Sequence, residues 1–132
     1  MIDCGQRTAP DVAPWTPGVN VGKPVDFVDT CYLLKRGADW MLWDTGLTDK
    51  IFSAPSPDPY AWKRTKSLAD ELERIGVKPS NIKYVAVSHT HPDHIGNVEL
   101  FPQALLLVQK LFWMMILSAG FFIAMMIYTR TR

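Results

Sequence analysis

All three histidines of this 132-residue chain fall between positions 89 and 94, in Ser88-His89-Thr90-His91-Pro92-Asp93-His94, directly behind the run Tyr84 to Ser88. That run is short, carries the β-branched Val85 and Val87, and is bounded by polar residues, so it reads as a buried strand. A buried strand ending in a dense polar cluster must belong to a sheet with the cluster at its rim.

The neighbouring segments supply the rest of such a sheet. Cys31 to Lys35 and Trp40 to Trp43 are apolar runs separated by Arg36-Gly37-Ala38-Asp39, which has turn chemistry, and a β-hairpin closing on Asp44-Thr45-Gly46 is expected. Ser67 and Asp70 have the pattern of a capping box ahead of Leu68, Leu72 and Ile75 on one helical face, and Gly76 stops the turn, which predicts a helix over 67–76. Leu105 to Gln109 reads as a further strand, reached through Gly96-Asn97 and a short helical turn ended by Pro102. Strands near 30–35, 39–44, 84–88 and 105–109 alternating with helix favour an α/β layered sheet. Pro10, Pro14, Pro17 and Pro24 predict an irregular lead-in before Val25. Pro55, Pro57 and Pro59 predict a mobile surface loop, with Tyr60 and Trp62 packed locally and Lys63, Arg64 and Lys66 as a solvated edge.

With 14 basic and 13 acidic residues the formal charge is +1, which offers no field to gather nucleic acid. Cys4 and Cys31 stand far apart in no metal-type spacing, and both read as free thiols. No export signal is visible in Met1-Ile2-Asp3-Cys4-Gly5, although a start site placed too late would hide one.

After Lys110 the composition changes. Leu111 to Tyr128 contains no charged residue, which meets the roughly 18-residue length of a membrane-spanning helix, and Lys110, Trp113, Tyr128, Arg130 and Arg132 flank it as interfacial anchors. Residues 111–128 are therefore expected as a continuous apolar helix, either a true transmembrane anchor or the product of a frame change or truncation near Lys110. The chain is membrane-bound if that segment is genuine and cytoplasmic otherwise.

The histidine window places imidazole and carboxylate donors where they converge. On an extended backbone His89 and His91 share a face. Pro92 stiffens the turn, Asp93 and His94 reach a neighbouring position, and Gly96 lets backbone pass close by. Zinc is the ion best suited to imidazole and carboxylate without thiolate, and iron, manganese or cobalt fit the same ligands.

Ser88 to Asn97 resembles the His-x-His-x-Asp-His signature of the metallo-β-lactamase superfamily. Asp44-Thr45-Gly46 resembles the turn that precedes it there. The segments Asp29 to Leu34, Leu42 to Leu47, and Phe101 to Ala104 running on to Val108-Gln109-Lys110 look most like the N-acyl homoserine lactonase branch. The resemblance implies an α/β fold in which residues 1–110 form the N-terminal half of an αββα metallo-β-lactamase sandwich, followed by the apolar C-terminal helix. It implies that His89 and His91 hold a first zinc ion, that Asp93 and His94 hold a second, and that Asp93 also helps to hold or accept the proton in hydrolysis. Asp44 either orients a ligand or caps backbone amides in the turn. The implied substrate is a small lactone or ester, opened by hydroxide that the ions generate.

The resemblance also implies a further ligand histidine for each ion and a bridging carboxylate later in the chain, where this sequence has no histidine. Two functions stay open: part of a metal-dependent hydrolase, or a non-catalytic, membrane-inserted remnant that binds metal weakly. The sheet's inner face is expected to be uncovered and prone to self-association.

Overall fold

The computed structural model describes residues 1–109 with the exception of Pro14. The predicted apolar helix 111–128 lies outside the described residues, and among them no helix is long and apolar enough to cross a membrane.

The described residues form a five-stranded mixed sheet in the order β1 (Ile2–Ala9), β2 (Val25–Arg36), β3 (Asp39–Trp43), β4 (Ile82–Val87) and β5 (Leu105–Val108). The first three strands are antiparallel neighbours, and β3, β4 and β5 run parallel. Parallel neighbours require crossovers. The one between β3 and β4 contains helix α1 (Leu68–Arg74), and the one between β4 and β5 contains the short helix α2 (Pro92–Ile95). The expected hairpin, the strands leading to and following the histidines, and the α/β alternation are all present.

Helix α1 begins as the sequence predicts. Ser67 Oγ accepts from the Asp70 amide at 3.1 Å and Asp70 Oδ2 accepts from the Ser67 amide at 3.2 Å, so two donors at the helix start are satisfied reciprocally. Gly76 then turns the chain at φ +74°. Leu68 and Leu72 are buried, but Ile75, at the C-cap, is exposed and Val77 takes its place in the core. These residues pack with Leu42, Ile82, Val85 and Cys31 on one face of the sheet.

Two expectations are overturned at the N-terminus. The stretch before Val25 is not wholly irregular: β1 occupies Ile2–Ala9 and stops immediately before Pro10, so the prolines shape only the loop that follows. The cysteines are not free thiols. Ile2 pairs with Cys31 and Asp3 with Thr30, and a bulge between Asp3 and Gly5 sets Cys4 beside Cys31, with Cα atoms 6.0 Å apart, where the two form a disulfide. Arg64 is also no solvated edge, since its side chain is 7% exposed, pairs with Asp49 and lies over Phe52.

Among the described residues the opposite face of the sheet is apolar and uncovered. Two rows cross four strands in register, Tyr32–Trp43–Ala86–Leu107 and Leu34–Met41–Tyr84–Leu105. Tyr32, Leu34, Trp43, Leu105 and Leu107 are exposed. Leu34, Met41, Tyr84 and Leu107 of this face help to line a groove of about 550 Å³ that continues past Trp40 and Asp39 at the hairpin end, and no histidine lines it.

Candidate metal centre

Strand β4 ends at Val87, and the chain leaves the sheet at Ser88. His91 is still extended, at φ −68° and ψ 151°, and Pro92 occupies the first turn of α2, where its missing N–H costs nothing. This path folds the cluster back on itself. His89 Nε2 lies 2.9 Å from His91 Nδ1, and the His89 and His94 rings meet at a tilt of 47° with centroids 4.0 Å apart.

His89, His91 and Asp93 each present one ligand atom, and the three atoms lie within 4.8 Å of one another. His94 Nε2 is 3.6 Å from Asp93 Oδ2. All four predicted ligands are thus brought together, with Asp93 converging on the His89–His91 pair while remaining beside His94. Imidazoles and a carboxylate at this spacing fit a divalent ion of the zinc type. Burial, followed by the neighbouring His94 and His91, lowers the basicity of His89 and favours the neutral imidazole that a metal ligand must be.

Asp44 fills both roles left open for it. It adopts φ +61°, and its Oδ1 accepts from the Ser88 amide at 2.7 Å, which caps the end of β4. Its Oδ2 accepts from Ser88 Oγ at 2.8 Å and from His94 Nδ1 at 2.9 Å. Donation from Nδ1 fixes the His94 tautomer and leaves Nε2 with its lone pair toward Asp93. Ser88 Oγ, 3.1 Å from His89 Nδ1, orients that ring in the same way.

The turn after β3 holds the histidine loop through backbone contacts. The Thr45 amide donates to His94 O at 2.8 Å, and the Gly96 amide to Gly46 O at 2.8 Å. A Cβ on Gly96 would lie 2.6 Å from Gly46 O and from Leu47 C, and closer still to Thr48 N. Only glycine permits that approach.

Sequence reasoning passed over two side chains here. Asn97, buried, donates from Nδ2 to Thr45 O at 2.8 Å and Leu47 O at 2.7 Å and accepts from the Asp49 amide at 3.1 Å, tying the turn to the loop. Its only signal was its place after Gly96. Asp29, 5% exposed on β2, lies under the same turn, and among the described residues neither carboxylate oxygen has a well-formed hydrogen bond, the Leu47 amide being a nearby donor. Burial pushes its carboxyl up to about 7, opposed by His94, reinforced by Asp93 and Asp44, and opposed again by the nearby Leu47 amide. No local pattern marks such a residue, because its burial comes from strands that meet only in the fold.

Residues 25–109 match the Metallo-beta-lactamase superfamily. The N-acyl homoserine lactonase AiiB of Agrobacterium fabrum is 30% identical over 107 residues, covering 75% of this chain and 38% of AiiB. Among solved structures, an AiiA variant from B. thuringiensis with N-decanoyl-L-homoserine bound at its active site superposes with a TM-score of 0.66 at 23% identity, over 89% of this chain and 53% of that one. AidC, a dizinc quorum-quenching lactonase in complex with a product, gives 0.63 at 23% identity, over 83% of this chain and 40% of that one. The chain therefore spans about half the length of these structures or less, and under two fifths of AiiB.

Proposed function

The chain belongs to the Metallo-beta-lactamase superfamily, and on that premise we propose that it carries part of a zinc-dependent hydrolase site acting on lactone or ester bonds, as N-acyl homoserine lactonases do. The observation that carries this reading is the convergence of His89, His91 and Asp93 on one point, with His94 oriented beside them by Asp44. Divalent ions held there would supply a nucleophile from water at neutral pH and would polarise the acyl oxygen. The chain's own residues do the remaining work. His89, His91 and His94 would present imidazole nitrogens, and Ser88 and Asp44 hold the His89 and His94 rings respectively in the tautomers that leave a lone pair for coordination. Asp93 would serve as a ligand and would hold the proton released as water adds to the acyl carbon.

A second reading, weak metal binding without turnover, is favoured by the donor count. The chain's three histidines are all used in this cluster, while a catalytic zinc takes about three protein ligands and a dizinc site needs two such sets. We expect the isolated chain to bind zinc far more weakly than a complete dizinc site and to hydrolyse lactones little or not at all. The open apolar face would favour self-association, and residues 111–128, if inserted in a membrane, would tether the site there. Calorimetric zinc titration and N-acyl homoserine lactone hydrolysis, each on the chain and on His91→Ala, test the proposal. Zinc binding weakened by the substitution supports it. Identical titrations for the two proteins would refute it, and full turnover abolished by the substitution would rule out the second reading.

A further inference from the structure

The disulfide lies directly beneath the turn that holds the histidine loop. A Cβ built on Gly46 would stand 2.8 Å from Cys4 Cβ, 3.2 Å from Cys4 Sγ and 3.4 Å from Asp29 Oδ2. Gly46 is therefore seated on the bridge with no room for a side chain. From above, Gly46 O accepts from the Gly96 amide, and the preceding Thr45 holds His94 O through both its amide and its Oγ1, the latter at 3.1 Å. A continuous stack of contacts thus runs from the disulfide through Gly46 to Gly96 and His94. Stacked backbone of this kind transmits a displacement, because neither glycine carries a flexible group to absorb it.

We propose that the Cys4–Cys31 bridge is a redox-sensitive positioning element for the metal loop. Closed, it holds the Asp44–Leu47 turn, and through it His94, in the arrangement suited to coordination. Opened, it releases the floor under Gly46.

The opening reaction is thiol–disulfide exchange with a dithiol reductant. A thiolate of the dithiol attacks Sγ of Cys4, the S–S bond breaks and Cys31 leaves as thiolate. The second thiol of the reductant then displaces Cys4, so that the dithiol ends as a cyclic disulfide and the protein holds two thiols. Both sulfurs are buried, but Cys4 sits near the start of β1, an edge strand of the sheet. Fraying of its first residues from β2 exposes the bond; because Ile2, Cys4 and Cys31 share their core with Leu68 and Leu72, protection in α1 measures whether the opening stays local. Once the bond is broken, Cys4 and the bulge that carries it are held by the ladder to β2, the Gly5–Asp3 hydrogen bond, the Gln6–Lys63 bridge and packing, and water gains access to the Asp29 carboxyl beside Gly46.

The consequence for zinc rests on the metal-binding reading above, so the test has one arm that needs no metal. Hydrogen exchange at the Thr45 and Gly96 amides is measured on the whole chain, oxidised, treated with dithiothreitol, and reoxidised, with the amides of α1 as an internal reference. Zinc affinity is titrated in each state after the reductant is removed under inert gas, and a Cys4→Ala/Cys31→Ala variant serves as a control. The expected result is exchange at Thr45 and Gly96 faster by about tenfold or more with α1 unchanged, zinc affinity weaker by roughly 10-fold or more, recovery of both on reoxidation, and a control indifferent to the dithiol. Unchanged exchange at both amides overturns the proposal, and so does loss of protection in α1 together with them, which would make the bridge a support of the whole fold. If zinc binds in neither state, the metal reading fails while the exchange arm still decides whether the bridge positions the loop.

Discussion

Asp44 Oδ2 and His94 Nδ1, fifty residues apart in sequence, meet at 2.9 Å. This contact joins the end of the β2–β3 hairpin to the histidine loop and chooses the nitrogen that His94 presents to a metal. Asp44→Asn keeps the shape and removes the charge that stabilises the Nδ1–H tautomer. Zinc affinity is expected to fall roughly 10- to 100-fold, the usual effect of losing a partner that orients a ligand. Calorimetry with unaltered affinity would show that Ser88 Oγ, 3.2 Å from His94 Nδ1, suffices to orient the ring.

Asp29 makes stability depend on pH. Its carboxyl titrates near 7 in the folded chain, against 3.8 for the ordinary group, so between those values the folded chain holds a proton that the unfolded chain has released. Its stabilising contribution is complete below about pH 4, is lost as pH rises through 7, and is level beyond that. Urea unfolding of the metal-free chain should show this decline, worth up to a few kcal/mol, and Asp29→Asn should flatten it. Parallel pH profiles for the two proteins would assign the slope to other groups.

Gly96→Ala puts a methyl group against the backbone of Gly46, Leu47 and Thr48, where no side chain can move aside. A destabilisation of about 1 to 3 kcal/mol or more is expected, with zinc binding weakened in parallel because the loop must lift. A denaturation midpoint equal to that of the parent would mean that the turn yields at no cost.

The open apolar face predicts association. Leu34 and Leu105 are both exposed in the same cross-strand row, and Leu34→Lys/Leu105→Lys should shift the chain toward monomer in sedimentation experiments without altering zinc affinity. A parent chain that is already monomeric at the same concentration would remove the face as a cause of association.

What the sequence alone determined lies within a turn or a strand. The reciprocal cap of Ser67 and Asp70, the stop at Gly76, the strand leading into His89 and the close approach at Gly96 are short-range demands of backbone geometry, and they read correctly from neighbouring residues. The candidate donor cluster was legible for the same reason, since His89, His91, Asp93 and His94 sit in one window. Tertiary structure alone decided which groups meet across long separations. The Cys4–Cys31 pair depends on the β1–β2 register and its bulge, the Asp44–His94 contact on the parallel pairing of β3 with β4, and the burial of Asp29 on the turn laid over it. Each of these follows from strand register, and a shift of one residue would turn the same side chains to the opposite face.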